Sequence, residues 1–279
     1  MTRQFCVLGE SLPHTISPTI HQRLFDLSEK KGDYSILELT PEQLLTQVDF
    51  LKTFTGYNVT IPHKVKIIPF IDKLDASAER YGAINCVHNK DGISTGYNTD
   101  VFGFLRALES GGGNLGGKVL LLGCGGAGRM MAIEAALADS DLTIAVRESS
   151  MEKAQKDLED ILILKPDAKV TITSLNSIQG SYDLLINSTP AGMYPDTDKC
   201  PVSDDVIRNC KCVFDAIYNP TETLLLKKSI EFGGCTINGM AMLVWQAVAA
   251  HEIWDNASYS AEEIDILITQ MQEYVKRVF

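Results

Sequence analysis

Positive charge is scarce in this sequence: 25 lysines and arginines face 36 aspartates and glutamates, a formal net charge of −11 over 279 residues. Polyphosphate backbones and anionic bilayers repel so acidic a chain unless a basic patch intervenes, and no such patch is present. Nucleic acid and membrane surfaces are therefore excluded as partners. Long apolar runs are also missing. The longest, such as Lys118-Val-Leu-Leu-Leu-Gly123, fall far short of the ~20 residues of a membrane-spanning helix. Met1-Thr-Arg-Gln runs straight into the strand-like Phe5-Cys-Val-Leu8 without the apolar core of a secretion signal, so a cytoplasmic protein is expected. The seven cysteines are odd in number and scattered, which argues for free thiols rather than a disulfide framework. Cys210-Lys-Cys212 is too closely spaced for a zinc knuckle and the five histidines are dispersed, so no metal site is expected.

What is present is enough chain for one large or two ordinary domains. The one clear internal break is Ser110-Gly-Gly-Gly-Asn-Leu-Gly-Gly117, a glycine-dense stretch suited to a domain junction. Before it, strands are expected at residues 5–9, 34–39, 56–60 and 83–88, with an amphipathic helix at 18–27. Thr40-Pro-Glu-Gln43 supplies a helix cap, a proline at the first helical position and a capping-box glutamine. Asn89-Lys-Asp-Gly92 closes a hairpin onto a strand at 93–97. After the break, strands at 118–122, 142–146, 170–173, 183–187, 213–217 and 236–237 alternate with helical segments, the first of them at 129–138. That is the pattern of parallel βαβ units. The chain beyond Gly239 returns to helix, at 240–254 and after the capping box Ser260-Ala-Glu-Glu263.

Gly123-Cys-Gly-Gly-Ala-Gly128 carries G-x-G-x-x-G between an expected strand and an expected helix. Such glycines let the backbone turn tightly and approach a pyrophosphate, whose charge sits against the amides at the helix N-terminus. The same loop also serves plain packing, but here strand, helix and second strand are all in place, so dinucleotide binding is expected. The end of the second strand chooses the cofactor: a carboxylate there binds the ribose hydroxyl of NAD, an arginine the extra phosphate of NADP. Arg147 is followed by Glu148, and the pair leaves both cofactors open.

Seven segments, in order and spanning almost the whole chain, together resemble the shikimate dehydrogenase family. They are His14-Thr-Ile-Ser-Pro18, Gly56-Tyr-Asn-Val-Thr-Ile-Pro-His-Lys64, Gly82-Ala-Ile-Asn-Cys-Val87, Gly96-Tyr-Asn-Thr-Asp100, Asn187-Ser-Thr-Pro-Ala-Gly-Met193, Asp215-Ala-Ile-Tyr-Asn-Pro220 and Gly239-Met-Ala-Met-Leu-Val-Trp-Gln246. The resemblance implies an α/β fold of two domains facing each other across a cleft. Residues 1–109, completed by the helices of 240–279, would form the substrate domain, and residues 110–239 a Rossmann-type nucleotide domain. It implies reversible NADPH-dependent reduction of 3-dehydroshikimate, with Lys64 as the catalytic lysine and Asp100 as its carboxylate partner. Thr15 and Ser17 would hold the substrate carboxylate, with Thr60, Asn85, Tyr218 and Gln246 as further substrate contacts. Gly123, Gly125, Gly126, Ala127 and Gly128 would hold the cofactor phosphates, Arg147 its adenine side, and Thr189, Ile217 and Gly239 its nicotinamide side. The partner is then a small molecule, the cofactor NADP with NAD as the other choice, and the protein a monomer or homodimer.

The residue types agree with such chemistry. A polyhydroxylated ring bearing a carboxylate needs many short hydroxyl and amide groups, which Thr15, Ser17, Thr60, Asn85 and Gln246 supply. A ketone reduced by hydride needs a proton at the developing alkoxide, which an ammonium beside a carboxylate can stabilise and protonate. Each residue taken singly also has a plainer use. Lys64 reads as a solvated surface charge, Asp100 as the N-cap of the next helix, Thr15 and Ser17 as turn and cap residues, Gln246 as a satisfied amide. His63 is read as structural or solvent-facing. Thr15, Cys86 and the Val146-Arg147-Glu148 run depart from the family's usual serine, threonine and Asn-Arg-Thr. The Glu148 departure motivates a second reading, a quinate/shikimate dehydrogenase preferring NAD. A third is a nucleotide-binding regulator that kept the fold without the chemistry.

Overall fold

The computed structural model describes residues 2–279. In chain order the elements are β1 (Arg3–Gly9), α1 (Ser17–Leu27), β2 (Gly32–Glu38), α2 (Pro41–Thr46), α3 (Val48–Leu51), β3 (Gly56–Val59), α4 (His63–Lys66), β4 (Lys73–Leu74), α5 (Ala76–Tyr81), β5 (Cys86–Lys90), β6 (Ile93–Tyr97) and α6 (Asp100–Ser110). They continue with β7 (Lys118–Leu122), α7 (Gly126–Leu137), β8 (Asp141–Val146), α8 (Met151–Leu164), β9 (Lys169–Ser174), β10 (Tyr182–Asn187), α9 (Asp204–Arg208), β11 (Cys210–Asp215), α10 (Leu224–Glu231), β12 (Cys235–Asn238), α11 (Gly239–Asp255) and α12 (Ala261–Val278). The chain divides into two compact units. One holds the residues up to Gly103 with Val244–Thr269, the other Phe104–Leu243 with Gln270–Phe279.

The first unit is built on a mixed sheet of order β2-β1-β3-β5-β6-β4. β1 pairs in parallel with β2 and β3, whereas β5 runs antiparallel to both β3 and β6. Thr40 accepts the Gln43 amide while the Gln43 side chain accepts the Thr40 amide, so the capping box at α2 forms as read. β5 and β6 meet through the two-residue loop Asp91-Gly92, both at positive φ of 53° and 77°. That is the backbone a tight hairpin with right-twisted strands requires. One core under the sheet gathers Leu8, Leu44, Leu51, Tyr57, Val59 and Ile84. Another joins Phe5, Phe25, Cys86 and Trp254, with the Trp254 indole N–H donating to the Val87 carbonyl at 2.9 Å.

The second unit carries an all-parallel sheet of order β12-β11-β10-β7-β8-β9. Numbered from its own first strand this is the order of a doubly wound dinucleotide-binding sheet, with the switch between β7 and β10. β7 reads Lys-Val-Leu-Leu-Leu and its last four residues are buried. So continuous an apolar run belongs to a strand covered on both faces. The α/β class, with two parallel-rich sheets, is the one expected.

Several boundaries differ from expectation, and two of them have a local reason. α7 starts at Gly126 rather than 129, because the glycine loop itself forms the first helical turn beyond an extended Gly125. β5 starts at Cys86 rather than 83. β11 ends at Asp215 rather than 217, because the Asp215 carboxylate takes the Ile217 amide that would have continued the ladder.

Candidate functional site

In the first unit, Lys64 is the second residue of α4, which begins four residues after β3 ends, and Asp100 opens α6. Their side chains meet although 36 residues separate them: Lys64 Nζ donates to Asp100 Oδ2 at 2.6 Å. The pair is part-buried, with side-chain exposures of 29% and 18%. Lys64 is thus neither fully solvated nor sealed, and a group arriving there meets an ammonium already oriented by a carboxylate. Asp100 lies inside the helix and not at its N-cap, and its other oxygen accepts from Asn85 Nδ2 at 2.8 Å.

Asn85 is held from every side. Its carbonyl accepts the Val59 amide and its own amide donates to the Tyr97 carbonyl, continuing the ladders on both flanks. Its side-chain oxygen accepts the Thr99 amide at 2.6 Å. Its Nδ2 reaches Thr99 Oγ1 at 2.9 Å and Gln246 Oε1 at 3.5 Å. Asn85, Thr99 and Gln246 are all buried. Lys64, Asp100, Asn85 and Gln246 therefore form one group. Thr99, which sequence reasoning names only as part of a motif, belongs to it.

Thr15 and Ser17 form a separate pair. Thr15 Oγ1 lies 3.2 Å from Ser17 Oγ and accepts the Ser17 amide, in the turn that leads into α1. Both residues are half-buried. Thr60 bridges β1 and α4 through its backbone: its amide donates to the Leu8 carbonyl and its carbonyl accepts the His63 amide. His63 is fully buried and donates from Nε2 to the Leu39 carbonyl at 2.7 Å, a structural role.

In the second unit a cavity of about 630 Å³ opens beside the glycine loop, with Gly123, Gly125, Arg147 and Thr189 in its wall. A Cβ at Gly125 or Gly126 would meet nothing within 4 Å, whereas one at Gly128 would lie 2.4 Å from Ser188 Oγ and 2.8 Å from the Gly123 carbonyl. The first two leave room for a ligand over the loop, and the third lets α7 pack against the strands. No acidic side chain occupies the first turn of α7, so its free amides and dipole favour an anion. Gly126 and Ala127 lie in that turn, and Ala127 is exposed. A dinucleotide fits this arrangement.

Two residues that the sequence leaves unassigned, Ser150 and Lys153, also line the cavity, and Glu148 does not. Lys153 Nζ is held by the Cys124 carbonyl at 2.9 Å and by Asp157. Helical spacing from Ser150 to Lys153 is the only sign of them in the sequence. The Cys124 thiol, buried and next to Asp157, is pushed up to about 12 and stays protonated.

Ile217 and Gly239 are joined directly, the Gly239 amide donating to the Ile217 carbonyl at 3.2 Å. Tyr218 lies in this second unit, and burial raises its phenol, which stays a neutral hydroxyl. Among the described residues no cluster of histidine, cysteine or carboxylate could hold a metal ion, and no helix is long and apolar enough to cross a membrane.

Residues 7–87 match the family model of the shikimate dehydrogenase substrate-binding domain. A shikimate dehydrogenase (NADP(+)) of Shouchella clausii is 38% identical over 259 residues, covering 91% of this chain and 93% of that protein. A crystal structure of a shikimate dehydrogenase in complex with NADP+ superposes with a TM-score of 0.89 at 33% identity, covering 97% of this chain and 96% of the other. The shikimate 5-dehydrogenase of Thermus thermophilus, in complex with NADP(H) and shikimate, gives a TM-score of 0.85 at 27% identity, covering 96% and 99%. With that identity spread over nine-tenths of both sequences, the chain belongs to the shikimate dehydrogenase family.

Proposed function

We propose that this chain is an NADP-dependent shikimate dehydrogenase that reversibly reduces 3-dehydroshikimate to shikimate in aromatic amino acid biosynthesis. It acts in the cytoplasm as a monomer or homodimer. Residues 1–109 and 240–279 serve the substrate and residues 110–239 the cofactor. The observation that carries the reading is the ammonium of Lys64 held 2.6 Å from Asp100, beside the buried amides of Asn85 and Gln246.

The nicotinamide, when bound, supplies the hydride for ketone reduction or accepts it in the reverse direction. The protein handles the proton. In reduction the Lys64 ammonium donates a proton to the oxygen at C3 as that oxygen gains charge, leaving the amine. In oxidation the amine takes the hydroxyl proton as the C3–H bond breaks. Asp100 orients the lysine through the hydrogen bond it accepts from Lys64 Nζ at 2.6 Å. Asn85 fixes Asp100 through one carboxylate oxygen, and a ring hydroxyl reaches its amide N–H by replacing the 3.5 Å contact with Gln246. Thr15 and Ser17 bind the substrate carboxylate through their paired hydroxyls, and Thr60, Tyr218 and Gln246 recognise the remaining polar groups. A hydroxyl-bearing ring satisfies such a site, whereas an analogue lacking a hydroxyl leaves a buried partner unpaired.

On the cofactor side, Gly123, Gly125, Gly126, Ala127 and Gly128 hold the pyrophosphate, and Thr189, Ile217 and Gly239 flank the nicotinamide. Arg147 and Lys153 give the adenine end positive charge for a 2′-phosphate. The position of Glu148 outside the cavity wall supports NADP over NAD. The test is a grid of shikimate and quinate, each with NADP+ and NAD+, followed by the near-ultraviolet absorbance of reduced nicotinamide. The highest kcat/KM is expected for shikimate with NADP+. A higher value for quinate with NAD+ would contradict this, and turnover in no cell of the grid would leave the regulator reading standing.

A further inference from the structure

Asp215 closes β11 with its side chain fully buried. Oδ1 accepts from Asn187 Nδ2 at 3.0 Å and from the Ile217 amide at 3.1 Å, while Oδ2 accepts from the Thr223 hydroxyl at 2.6 Å. Asn187 closes the neighbouring β10, is in register with Asp215, and is also fully buried. Its Oδ1 accepts both the Thr189 amide at 3.0 Å and the Thr189 hydroxyl at 2.7 Å. The Ile217 carbonyl in turn accepts the Gly239 amide at 3.2 Å and Asn238 Nδ2 at 3.4 Å. One carboxylate thus stands behind Thr189, Ile217 and Gly239, the three residues that flank the nicotinamide in the reading above.

We infer that Asp215 is a positioning residue for the nicotinamide end of the cofactor, acting through Asn187 on Thr189 and through its own hydrogen bond on Ile217. The inference rests on the reading of this unit as the dinucleotide site. Stability of the sheet does not call for a carboxylate here. The two preceding residues, Val213 and Phe214, are buried and apolar, and the partners of Asp215 are three neutral donors. A buried charge without a cation is costly however well it is hydrogen-bonded, and desolvation accordingly raises this carboxyl to about 6. What the carboxylate contributes is convergence: two oxygens fix three chain segments at the carboxyl ends of parallel strands, where open α/β sheets bind their ligands.

The experiment compares wild type with Asp215→Ala in three measurements. They are kcat for shikimate oxidation by NADP+, the primary isotope effect on kcat with shikimate deuterated at C3, and the dissociation constant of adenosine 2′,5′-bisphosphate. The bisphosphate is the adenine end of the cofactor without its nicotinamide. The expected result is a fall in kcat on the order of 10-fold to 10²-fold, as for a misplaced reacting group, with a larger isotope effect and bisphosphate affinity held within about twofold. Unchanged kcat and isotope effect would overturn the inference, and so would a bisphosphate affinity that falls along with kcat, because that pattern marks general damage to the unit. Asn187→Ala cuts the next link towards Thr189, is expected to give the same profile, and carries the test if Asp215→Ala does not fold. A wild type without turnover refutes the dehydrogenase reading instead. Weaker NADP+ binding in Asp215→Ala, with the bisphosphate affinity kept, would then still support the inference, and equal NADP+ binding would overturn it.

Discussion

Lys64 and Asp100 are ordinary residues whose surroundings change what they can do. A solvated lysine spends its charge on water, whereas Lys64 directs its charge at a carboxylate that Asn85 holds still. His21 and His251 present the opposite case, since burial withholds charge from them. Their rings lie 3.0 Å apart, Nδ1 to Nε2, both fully buried, with His21 stacked on Tyr34. One ring nitrogen must donate to the other, so the pair is satisfied only while at least one imidazole is neutral. Asp255 Oδ2 lies 4.0 Å from His251 Nδ1, beyond hydrogen-bond distance, while the other oxygen of that carboxylate is held by Arg3. Desolvation, with His251 nearby, holds His21 well below its usual value, and desolvation beside Arg3 lowers His251 to about 3. Depressed folded-state values mean that the unfolded chain binds these protons first. The stability the pair contributes is therefore present above about pH 6.5 and is lost progressively as pH falls below it. Asp215, raised to about 6, works in the other direction between its unfolded and folded values, but it is one group against two. Denaturant midpoints measured from pH 7 to about pH 5 should fall steeply, and His251→Phe should flatten the curve. A curve of equal slope in the variant would show that the pair is not its source.

At the scale of elements, sequence pattern accounts for most of the fold. β7 and β10 are short apolar runs and α1 repeats its buried side chains Ile20, His21, Leu24 and Phe25 at helical spacing. Such regularities are local, so they are visible in a linear text. What is not legible depends on contacts between distant segments. Asp100 and Lys64 are 36 residues apart and Asn187 and Asp215 are 28 apart. No spacing rule joins them, and the first pair is reached only through the family resemblance. Their meeting follows from strand order, which brings the ends of β3 and β6 to the start of β5 in one sheet and places β10 beside β11 in the other. The start of α7 is hidden for a different reason. Glycines are poor helix formers, yet Gly126 and Gly128 lie in the first turn because a side chain at Gly128 would collide with Ser188 and the Gly123 carbonyl. Gly128→Ala should therefore push α7 off the strands and weaken NADPH binding by a factor on the order of 10 or more, a loss of about 1.4 kcal/mol or greater. Titration of NADPH fluorescence would measure it, and affinity equal to wild type would show that the contact is relieved by other means.

For the molecule as a whole, a net charge of −11 set against two anionic ligands is the main electrostatic fact. Global charge slows the encounter with such ligands, and local groups must reverse it. Candidates for this role stand in each unit. Lys64 supplies a cation in the first, while Arg147, Lys153 and the α7 N-terminus line or adjoin the cavity in the second. The acidic total is thus a property of the whole chain, while each unit places cations at its candidate site, Lys64 paired with Asp100 and Lys153 paired with Asp157. The central claim is that Lys64 moves the proton at the substrate oxygen, and Lys64→Ala tests it most directly, with kcat for shikimate oxidation measured beside the dissociation constant of shikimate. The expected result is a kcat lowered on the order of 10² or more, the size of a lost acid–base group, with shikimate binding largely retained. A kcat within a few-fold of wild type would contradict it.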